Sequence, residues 1–110
     1  DYAISMWKIL QHKKADDWVI ATNRDQTVKK FIEQVSKKLK INLKWRGKGL
    51  NEVGIDKKTG KIIIDLNKKH LRPSEVDFLK GDYSKARKIL KWKPVISTEE
   101  LIDDMIKNEL

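Results

Sequence analysis

In the first third of the sequence, apolar residues recur twice at helical spacing, each time behind a residue that can cap a helix. Asp1 can cap the first stretch, which continues to about Lys14. Thr27 can cap the second stretch. The apolar positions are Ala3, Met6, Trp7 and Leu10 in the first stretch, and Val28, Phe31, Ile32, Val35 and Leu39 in the second. This pattern predicts two amphipathic helices.

Two more helices are predicted near the carboxyl end. Asp82 can cap the first of them, and Pro94 ends it because proline cannot continue a helix. The second begins at Ser97 or Thr98, and if Ser97 is the cap, Glu100 is placed to complete a capping box. The apolar faces are Ala86, Ile89 and Leu90 in the first, and Leu101, Ile102, Met105 and Ile106 in the second.

Three short strands are predicted between these helices. Trp18–Ala21 is an apolar run typical of a buried strand, Leu43–Trp45 alternates, and Lys61–Asp65 is rich in isoleucine. Four glycines between positions 47 and 60 predict a loop-rich region. Pro73 suits the first turn of a short helix, where its missing N–H costs nothing. The sequence therefore predicts an α+β fold, with short strands among four to five helices.

Charge bears on the partners that this chain can have. Lys and Arg outnumber Asp and Glu by 25 to 16, so the net charge is +9. A basic chain raises nucleic acid as a partner. However, lysines occur in every segment with acids among them, and no aromatic residues are interleaved as a stacking strip. We expect a solvated lysine-rich surface and no nucleic acid; a free-standing basic nucleic-acid-binding module is the alternative.

The sequence also bears on the compartment. It has no cysteine, so disulfides and thiol catalysis are excluded. No apolar run has the length of a membrane span, and no signal peptide is recognisable. We therefore expect no membrane partner and a cytoplasmic location. The chain begins at Asp1, inside a helical pattern, and from this we expect it to be a piece of a longer protein.

Arg72 and Glu75 are the candidate binding residues. Arginine offers a planar fork of donors that fits phosphate oxygens, and a carboxylate accepts hydrogen bonds from the paired hydroxyls of a ribose. Three residues apart on a helical turn, the two side chains share one face. This arrangement suits a phosphorylated sugar or nucleotide, although Arg and Glu at this spacing also form surface ion pairs. We expect the two side chains at the mouth of a cleft, beside the Gly47–Gly54 loop.

Residues for catalysis or metal binding are missing from the sequence. No glycine-rich turn joins a strand to a helix, no serine stands in a nucleophile elbow, and no Tyr-x-x-x-Lys motif occurs. His12 and His70 are isolated, without metal-ligand spacing, and we expect both to be surface or interface histidines. The prediction is that this chain has no catalytic residue, no cofactor-binding residue and no metal ligand.

The carboxyl-terminal half carries motifs that resemble the last part of extended short-chain dehydrogenases, and more narrowly the GDP-mannose 4,6-dehydratase family. The motifs are Trp45-x-Gly47, Asn51-Glu52-Val53-Gly54, Thr59-Gly60-Lys61, Arg72-Pro73-x-Glu75-Val76-Asp77, Gly81-Asp82, Lys85-Ala86 and Leu90-x-Trp92-x-Pro94. Weaker matches, such as Asp1-Tyr2, Met6-Trp7 and Ile20-Ala21-Thr22, extend the resemblance over the whole chain.

The resemblance implies a function for the chain. Residues 1–110 would be the carboxyl-terminal, nucleotide-sugar-binding portion of an NADP-dependent lyase that converts GDP-mannose to GDP-4-keto-6-deoxymannose. Arg72 would hold the pyrophosphate of GDP-mannose, and Glu75 the ribose or an adjacent group. The amino-terminal Rossmann domain, with NADP and the catalytic residues, is missing here, so the isolated chain is predicted to be inactive. The complete enzyme is expected to be a homo-oligomer.

The resemblance has a rival and some departures. The rival is another extended short-chain dehydrogenase that acts on a different nucleotide sugar, such as an epimerase. His70 and Leu71 stand where the family usually has aromatic residues, which we expect to alter the sugar-side wall of the site. Asn23 stands where the family usually has glycine, and there we expect only a turn to change.

Overall fold

The fold was analysed in a computed structural model, which describes residues 1–72 and 78–109. The chain divides into two compact units. The two-segment unit consists of Asp1–Asp25 and Asp77–Leu110, and the helix–sheet unit is Gln26–Val76. The described residues form four α-helices and one sheet of three strands, and the predicted α+β class is confirmed.

The helix–sheet unit is a helix followed by an antiparallel meander. Helix α2 (Val28–Lys38) precedes β1 (Leu43–Arg46), β2 (Val53–Asp56) and β3 (Ile62–Ile64). The strand order is β1-β2-β3, and both pairs of neighbours are antiparallel. Short 3₁₀ helices lie at Gly49–Asn51, between β1 and β2, and at Lys68–His70, after β3.

The central strand, β2, was not predicted, because Gly54 falls inside it and glycine is depleted in strands. In the sheet, a Cβ atom at position 54 would lie 2.9 Å from Cβ of Ile64 and 3.0 Å from Cδ1 of Leu43. Glycine is therefore required by the close approach of the neighbouring strands. The register also shifts between Gly54 and Ile55. The signal for this strand was the alternation of Val53 and Ile55 before a turn.

The two-segment unit contains three helices and the main apolar core. Helices α1 (Tyr2–Leu10), α3 (Ser84–Ile89) and α4 (Thr98–Glu109) are its regular elements. The core combines Ala86, Leu90 and Trp92, with Ile9, Trp18, Ile20 and Tyr83 packed around it. The indole N–H of Trp92 donates to the main-chain oxygen of Asp1 over 3.2 Å, so the largest buried ring leaves no unmade hydrogen bond.

Two predicted elements of this unit differ in the structure. Helix α1 ends at Leu10 rather than near Lys14. The predicted strand at Trp18–Ala21 is wrong for the described structure, because this segment belongs to no β-ladder there. The segment was predicted to be buried, whereas Trp18, Ile20 and Ala21 are half-buried and Val19 is exposed. A strand also needs a neighbour, which local sequence does not reveal. The short helix predicted to begin at Pro73 lies outside the described residues.

Two of the predicted helix caps, Thr27 and Ser97, are confirmed. Asp1 precedes α1 but forms no side-chain capping hydrogen bond, because its carboxylate accepts from the Val95 and Ile96 amides at 3.1 and 2.9 Å. The Thr27 hydroxyl accepts from the Lys30 amide at 3.1 Å. Ser97 and Glu100 form a reciprocal capping box: the Ser97 hydroxyl accepts from the Glu100 amide at 3.2 Å, and the Glu100 carboxylate accepts from the Ser97 amide at 2.7 Å. Asp82 stands one residue outside the assigned cap of α3, yet its carboxylate accepts from the Ser84 amide at 2.9 Å.

Replacing Gly54 should test the close approach in the sheet. Gly54→Ala is expected to lower the free energy of unfolding by about 1–3 kcal/mol, because the added methyl must displace Ile64 or Leu43. Gly60→Asn is the control: a Cβ there meets nothing within 4 Å, and asparagine tolerates the positive φ of 71°. Urea unfolding measures both variants, and parental stability of Gly54→Ala would contradict the packing described here.

Acid should weaken the start of α4. Hydrogen bonds from the Ser97 amide and then from its hydroxyl hold the pKa of Glu100 below its ordinary value of 4.5. A lowered carboxyl pKa contributes stability above the ordinary value, and this is lost as the pH falls through the folded-state pKa. Glu100→Gln should therefore be less stable than the parent near neutral pH, and the difference should shrink below about pH 4.5.

The measurement is urea unfolding of parent and Glu100→Gln at a series of pH values. Glu109→Gln, at the other end of α4, is the matched control, because it removes the same charge without touching the cap. Parallel stability curves for the parent and Glu100→Gln would mean that the capping carboxylate does not titrate as described.

Candidate nucleotide-sugar site

Arg72, the candidate phosphate-binding residue, lies exposed in the helix–sheet unit. It follows the 3₁₀ helix Lys68–His70, whose first turn is fixed by Asn67: the Asn67 side-chain oxygen accepts from the Lys69 amide at 3.1 Å. Within the described part of the chain, the Arg72 guanidinium has no hydrogen bond or ion pair. The cationic fork is therefore left available to a ligand.

Glu75, the candidate ribose-binding residue, lies outside the described residues. The predicted pairing of Arg72 and Glu75 on one face stays a prediction. What the structure does provide is a tether between the segment before Arg72 and the glycine-containing loop. Lys68 Nζ donates to the side-chain oxygen of Asn51 over 3.3 Å. Local sequence carries no signal for this contact, because its partners lie 17 residues apart.

The Gly47–Gly54 loop contains two backbone positions with positive φ angles, and both are occupied by glycine. Gly47 has φ +87°, and a side chain there would collide with the main-chain oxygen of Asn51. Gly49, with φ +56°, opens the 3₁₀ helix Gly49–Asn51. Because left-handed backbone is strained for other residues, the glycines fix the path of this loop. The loop therefore has a defined backbone conformation.

Side chains anchor the loop to α2 and β1. Glu52 accepts a hydrogen bond from Lys29 at 2.6 Å, and the same ammonium lies 4.7 Å from the centre of the Trp45 ring. The Trp45 indole donates to Glu33 at 2.8 Å. The ring of Trp45 and its N–H are therefore both engaged by the protein. Trp45 is thus a packing residue of the helix–sheet unit.

The motif Thr59-Gly60-Lys61 lies in the turn from β2 to β3. The Asp56 carboxylate accepts from the Lys58 amide at 3.0 Å and from the Thr59 hydroxyl at 2.9 Å, and these bonds lower its pKa below the ordinary 3.8. The Gly60 amide donates to the main-chain oxygen of Asp56 over 2.8 Å, at φ +71°. Thr59-Gly60 is therefore a turn motif and contributes no ligand group of its own.

The motif residues of the two-segment unit also have structural roles. The Asp82 carboxylate accepts from the Ser84 amide at the start of α3, and Trp92 is 3% exposed in the core. Asn23 adopts φ +55°, the conformation that glycine would favour, and its side-chain oxygen accepts from the Tyr83 amide at 2.9 Å. Asn23 can therefore replace the glycine that is usual in the family, because asparagine tolerates left-handed backbone.

The net charge of the protein lies in one unit. Gln26–Val76 contains fourteen Lys and Arg against five Asp and Glu, whereas the two-segment unit contains eleven of each. The helix–sheet unit therefore carries the whole +9, and the two-segment unit is neutral by formal charge. Lysines are indeed spread along the chain, as the sequence showed, but the acids that balance them are not. The unit that contains Arg72 is the one that attracts anions.

A cavity of about 200 Å³ opens in the two-segment unit, but it does not suit a phosphate. Its wall is mostly apolar and includes no Lys or Arg. The lining residues are Asp1, Tyr2, Thr22, Trp92, Pro94, Ile96, Ser97, Thr98 and Leu101. Arg72 belongs to the helix–sheet unit, whereas all residues that line this cavity belong to the two-segment unit.

The described residues offer no assembled metal centre and no helix long and apolar enough to cross a bilayer. His12 is half-buried, with its ring edge-on to Trp18 at 5.1 Å and Nδ1 2.8 Å from the Lys14 oxygen. His70 is exposed.

Comparison with known proteins gives one family. The profile of GDP-mannose 4,6 dehydratase matches residues 1–105. The chain is 41% identical over 110 residues to a GDP-mannose 4,6 dehydratase of Drosophila melanogaster, and covers 28% of that protein. It is 40% identical over 110 residues to the Dictyostelium discoideum enzyme and 42% identical over 106 residues to the human one, covering 31% and 28% of them.

Nearly the whole of this chain takes part in these matches: all of it in the fly and slime-mould comparisons and 96% in the human one. The relatives themselves are more than three times as long, since the chain spans 28–32% of their lengths. The family match covers far more than half of the chain. The chain therefore belongs to the GDP-mannose 4,6-dehydratase family.

Proposed function

We propose that this chain is the nucleotide-sugar-binding portion of a GDP-mannose 4,6-dehydratase, and that Arg72 binds the diphosphate of GDP-mannose. The observation that carries the proposal is the state of Arg72 within the described residues: its guanidinium is exposed and has no protein partner. The Lys68–Asn51 hydrogen bond tethers the preceding segment to a loop of fixed backbone. An unpaired arginine fork that follows a tethered segment is suited to bidentate phosphate binding.

Electrostatics supports the same assignment. A nucleoside diphosphate sugar is an anion, and the unit that carries Arg72 holds the entire net charge of the chain. Lys68 and Lys69 stand within four residues of Arg72. Such a field raises the local concentration of an anionic ligand, and Arg72 then fixes the geometry of its phosphates. In this proposal the Glu75 carboxylate accepts hydrogen bonds from the ribose hydroxyls.

The chemistry of the complete enzyme belongs, in this proposal, to residues outside these 110. NADP does not fit the described residues: the sheet is wholly antiparallel, and no strand leads through a glycine-rich turn into a helix. This chain supplies affinity for the substrate, while a Rossmann domain elsewhere in the protein supplies NADP and the proton-transfer groups. The complete enzyme would be a homo-oligomer.

The basic unit also raises the alternative of nucleic acid binding. One observation weighs against it: Trp45, which would be a natural stacking platform, has its ring beside Lys29 and its N–H bonded to Glu33. Tight binding of random-sequence RNA that weakens steeply with added salt would support this alternative instead.

Substitution of Arg72 in the complete enzyme tests the proposal. Arg72→Ala should weaken GDP binding by roughly 1.5–3 kcal/mol, the usual contribution of a charge-assisted hydrogen bond. Arg72→Lys should recover only part of this loss, because a point charge keeps the attraction but not the fork. Glu75→Ala should cost less, since ribose hydroxyls are neutral donors. Calorimetric titration with GDP measures all three variants.

Arg46→Ala is the matched control, because Arg46 is another exposed arginine of the same unit. It removes the same charge, and its effect should be much smaller than that of Arg72→Ala if the fork itself binds the phosphates. Equal losses in the two variants would indicate a diffuse field, and unchanged GDP affinity in Arg72→Ala would show that Arg72 does not bind the diphosphate.

The isolated 110-residue chain should have no dehydratase activity and should not bind NADP. The reason is chemical: it has no phosphate-binding turn for the cofactor and no Tyr-x-x-x-Lys motif for proton transfer. Incubation with GDP-mannose and NADP, followed by detection of a 4-keto sugar, checks the first part, and calorimetry with NADP checks the second. Turnover of GDP-mannose by the purified chain would contradict the proposal that the catalytic residues lie outside these 110.

A further inference from the structure

Lys29, in the first turn of α2, makes two contacts outside its own helix. Its ammonium donates to the Glu52 carboxylate over 2.6 Å and lies 4.7 Å from the centre of the Trp45 ring. The Lys29 side chain is 44% exposed, and that of Glu52 is 28% exposed. One cation thus connects α2 with β1 and with the Gly47–Gly54 loop.

The stability of α2 does not account for this lysine. The first turn of the helix contains Lys29 and Lys30 and no acidic residue. Positive charge is unfavourable there, because the amino end of a helix is the positive end of its dipole. An exposed ion pair also contributes little to the stability of a fold. The bond from Lys29 to Glu52 therefore matters for where the loop lies rather than for whether α2 forms.

Glu52 and its neighbour Asn51 form side-chain bonds in different directions. Glu52 follows the 3₁₀ helix Gly49–Asn51, and its amide donates to the Gly49 main-chain oxygen over 3.2 Å. Its carboxylate accepts from Lys29 on α2, whereas the Asn51 side-chain oxygen accepts from Lys68 Nζ at 3.3 Å. Two adjacent residues therefore link α2 to the segment that precedes Arg72.

The segment from Lys68 to Arg72 has a defined backbone. Lys68 begins the 3₁₀ helix Lys68–His70, and the amide of its C-cap, Leu71, donates to the Lys68 main-chain oxygen over 3.3 Å. Arg72 is the next residue. A shift of Lys68 would therefore move the backbone from which the Arg72 guanidinium extends. Groups that bind a ligand have to be held to within about 0.5 Å of their productive position.

We infer that Lys29 is a positioning residue for the diphosphate site: through Glu52 and Asn51 it holds the segment that carries Arg72. Lys29 acts on the site through these residues and does not touch the ligand, because its ammonium is engaged by Glu52 and Trp45. Since the site is the one proposed at Arg72, the inference rests on the proposed function.

The charges of the ion pair separate a positioning role from a purely electrostatic one. Lys29→Met removes a cation and Glu52→Leu removes an anion, yet both break the same contact. If the electrostatic field alone mattered, the first change would weaken the binding of anionic GDP and the second would strengthen it. A positioning role predicts that both changes weaken it.

Calorimetric titration of the natural full-length protein with GDP measures these variants. Lys29→Met and Glu52→Leu should each weaken GDP binding about 2- to 10-fold, the lower part of the range for residues coupled in one network. Lys29→Arg should retain most of the parental affinity, since arginine can keep both the ion pair and the ring contact. Lys30→Met is the matched control, because within the described residues the ammonium of Lys30 has no partner.

A double variant locates the effect of Lys29. Once Arg72→Ala has removed the fork, Lys29→Met should cause no further loss of GDP affinity, because it acts through Arg72. The thermal unfolding midpoint of Lys29→Met alone should stay close to that of the parent, because the ion pair is exposed.

Stronger GDP binding by Glu52→Leu, equal losses in Lys29→Met and Lys30→Met, additive losses in the double variant, or a destabilised Lys29→Met would overturn the inference. Parental affinity of Lys29→Met beside a clear loss in Arg72→Ala would overturn it and leave the proposed function intact. Parental affinity of Arg72→Ala would instead overturn the proposed function, and the role of Lys29 with it.

Discussion

Within the described residues, the buried hydrophobic side chains are Ala86, Leu90, Trp92 and Ile102, all of them in the two-segment unit. The apolar side chains that join α2 to the sheet are only half-buried. This shortage of buried apolar surface is the constraint on which the rest of the structure depends. Local hydrogen bonds, at caps and turns, hold each unit in shape, and large apolar side chains such as Trp7 and Leu10 are left at the surface.

The quoted family motifs separate into two groups once their contacts are known. Glu52 bonds to Lys29, Gly54 permits close strand packing, Asp82 caps α3 and Trp92 fills the core. Each of these residues has a structural partner. Arg72 differs, because within the described residues its guanidinium bonds to nothing and lies exposed in the unit that carries the net charge. An exposed arginine without a structural partner is available to bind an anion.

The sequence predicted best what is decided locally. Thr27 and the pair Ser97–Glu100 could be assigned as caps because all partners lie within one turn. The strand β2 was missed because Gly54 is required there by close contacts with side chains of the neighbouring strands, which local sequence does not show. Trp18–Ala21 failed for the opposite reason: its composition favours a strand, but the described residues provide no partner for it. For the site, sequence supplies Arg72 and Glu75 as candidates, and their roles stay predictions. The Lys68–Asn51 tether and the charge imbalance between the units needed the structure.

The central claim is that Arg72 binds the diphosphate of the nucleotide sugar. A crystal structure of the natural full-length protein with GDP tests it most directly. The account predicts two nitrogens of the Arg72 guanidinium at about 2.7–2.9 Å from diphosphate oxygens. Bound GDP whose phosphates are held by other residues, with Arg72 in solvent or paired to a protein carboxylate, would contradict it.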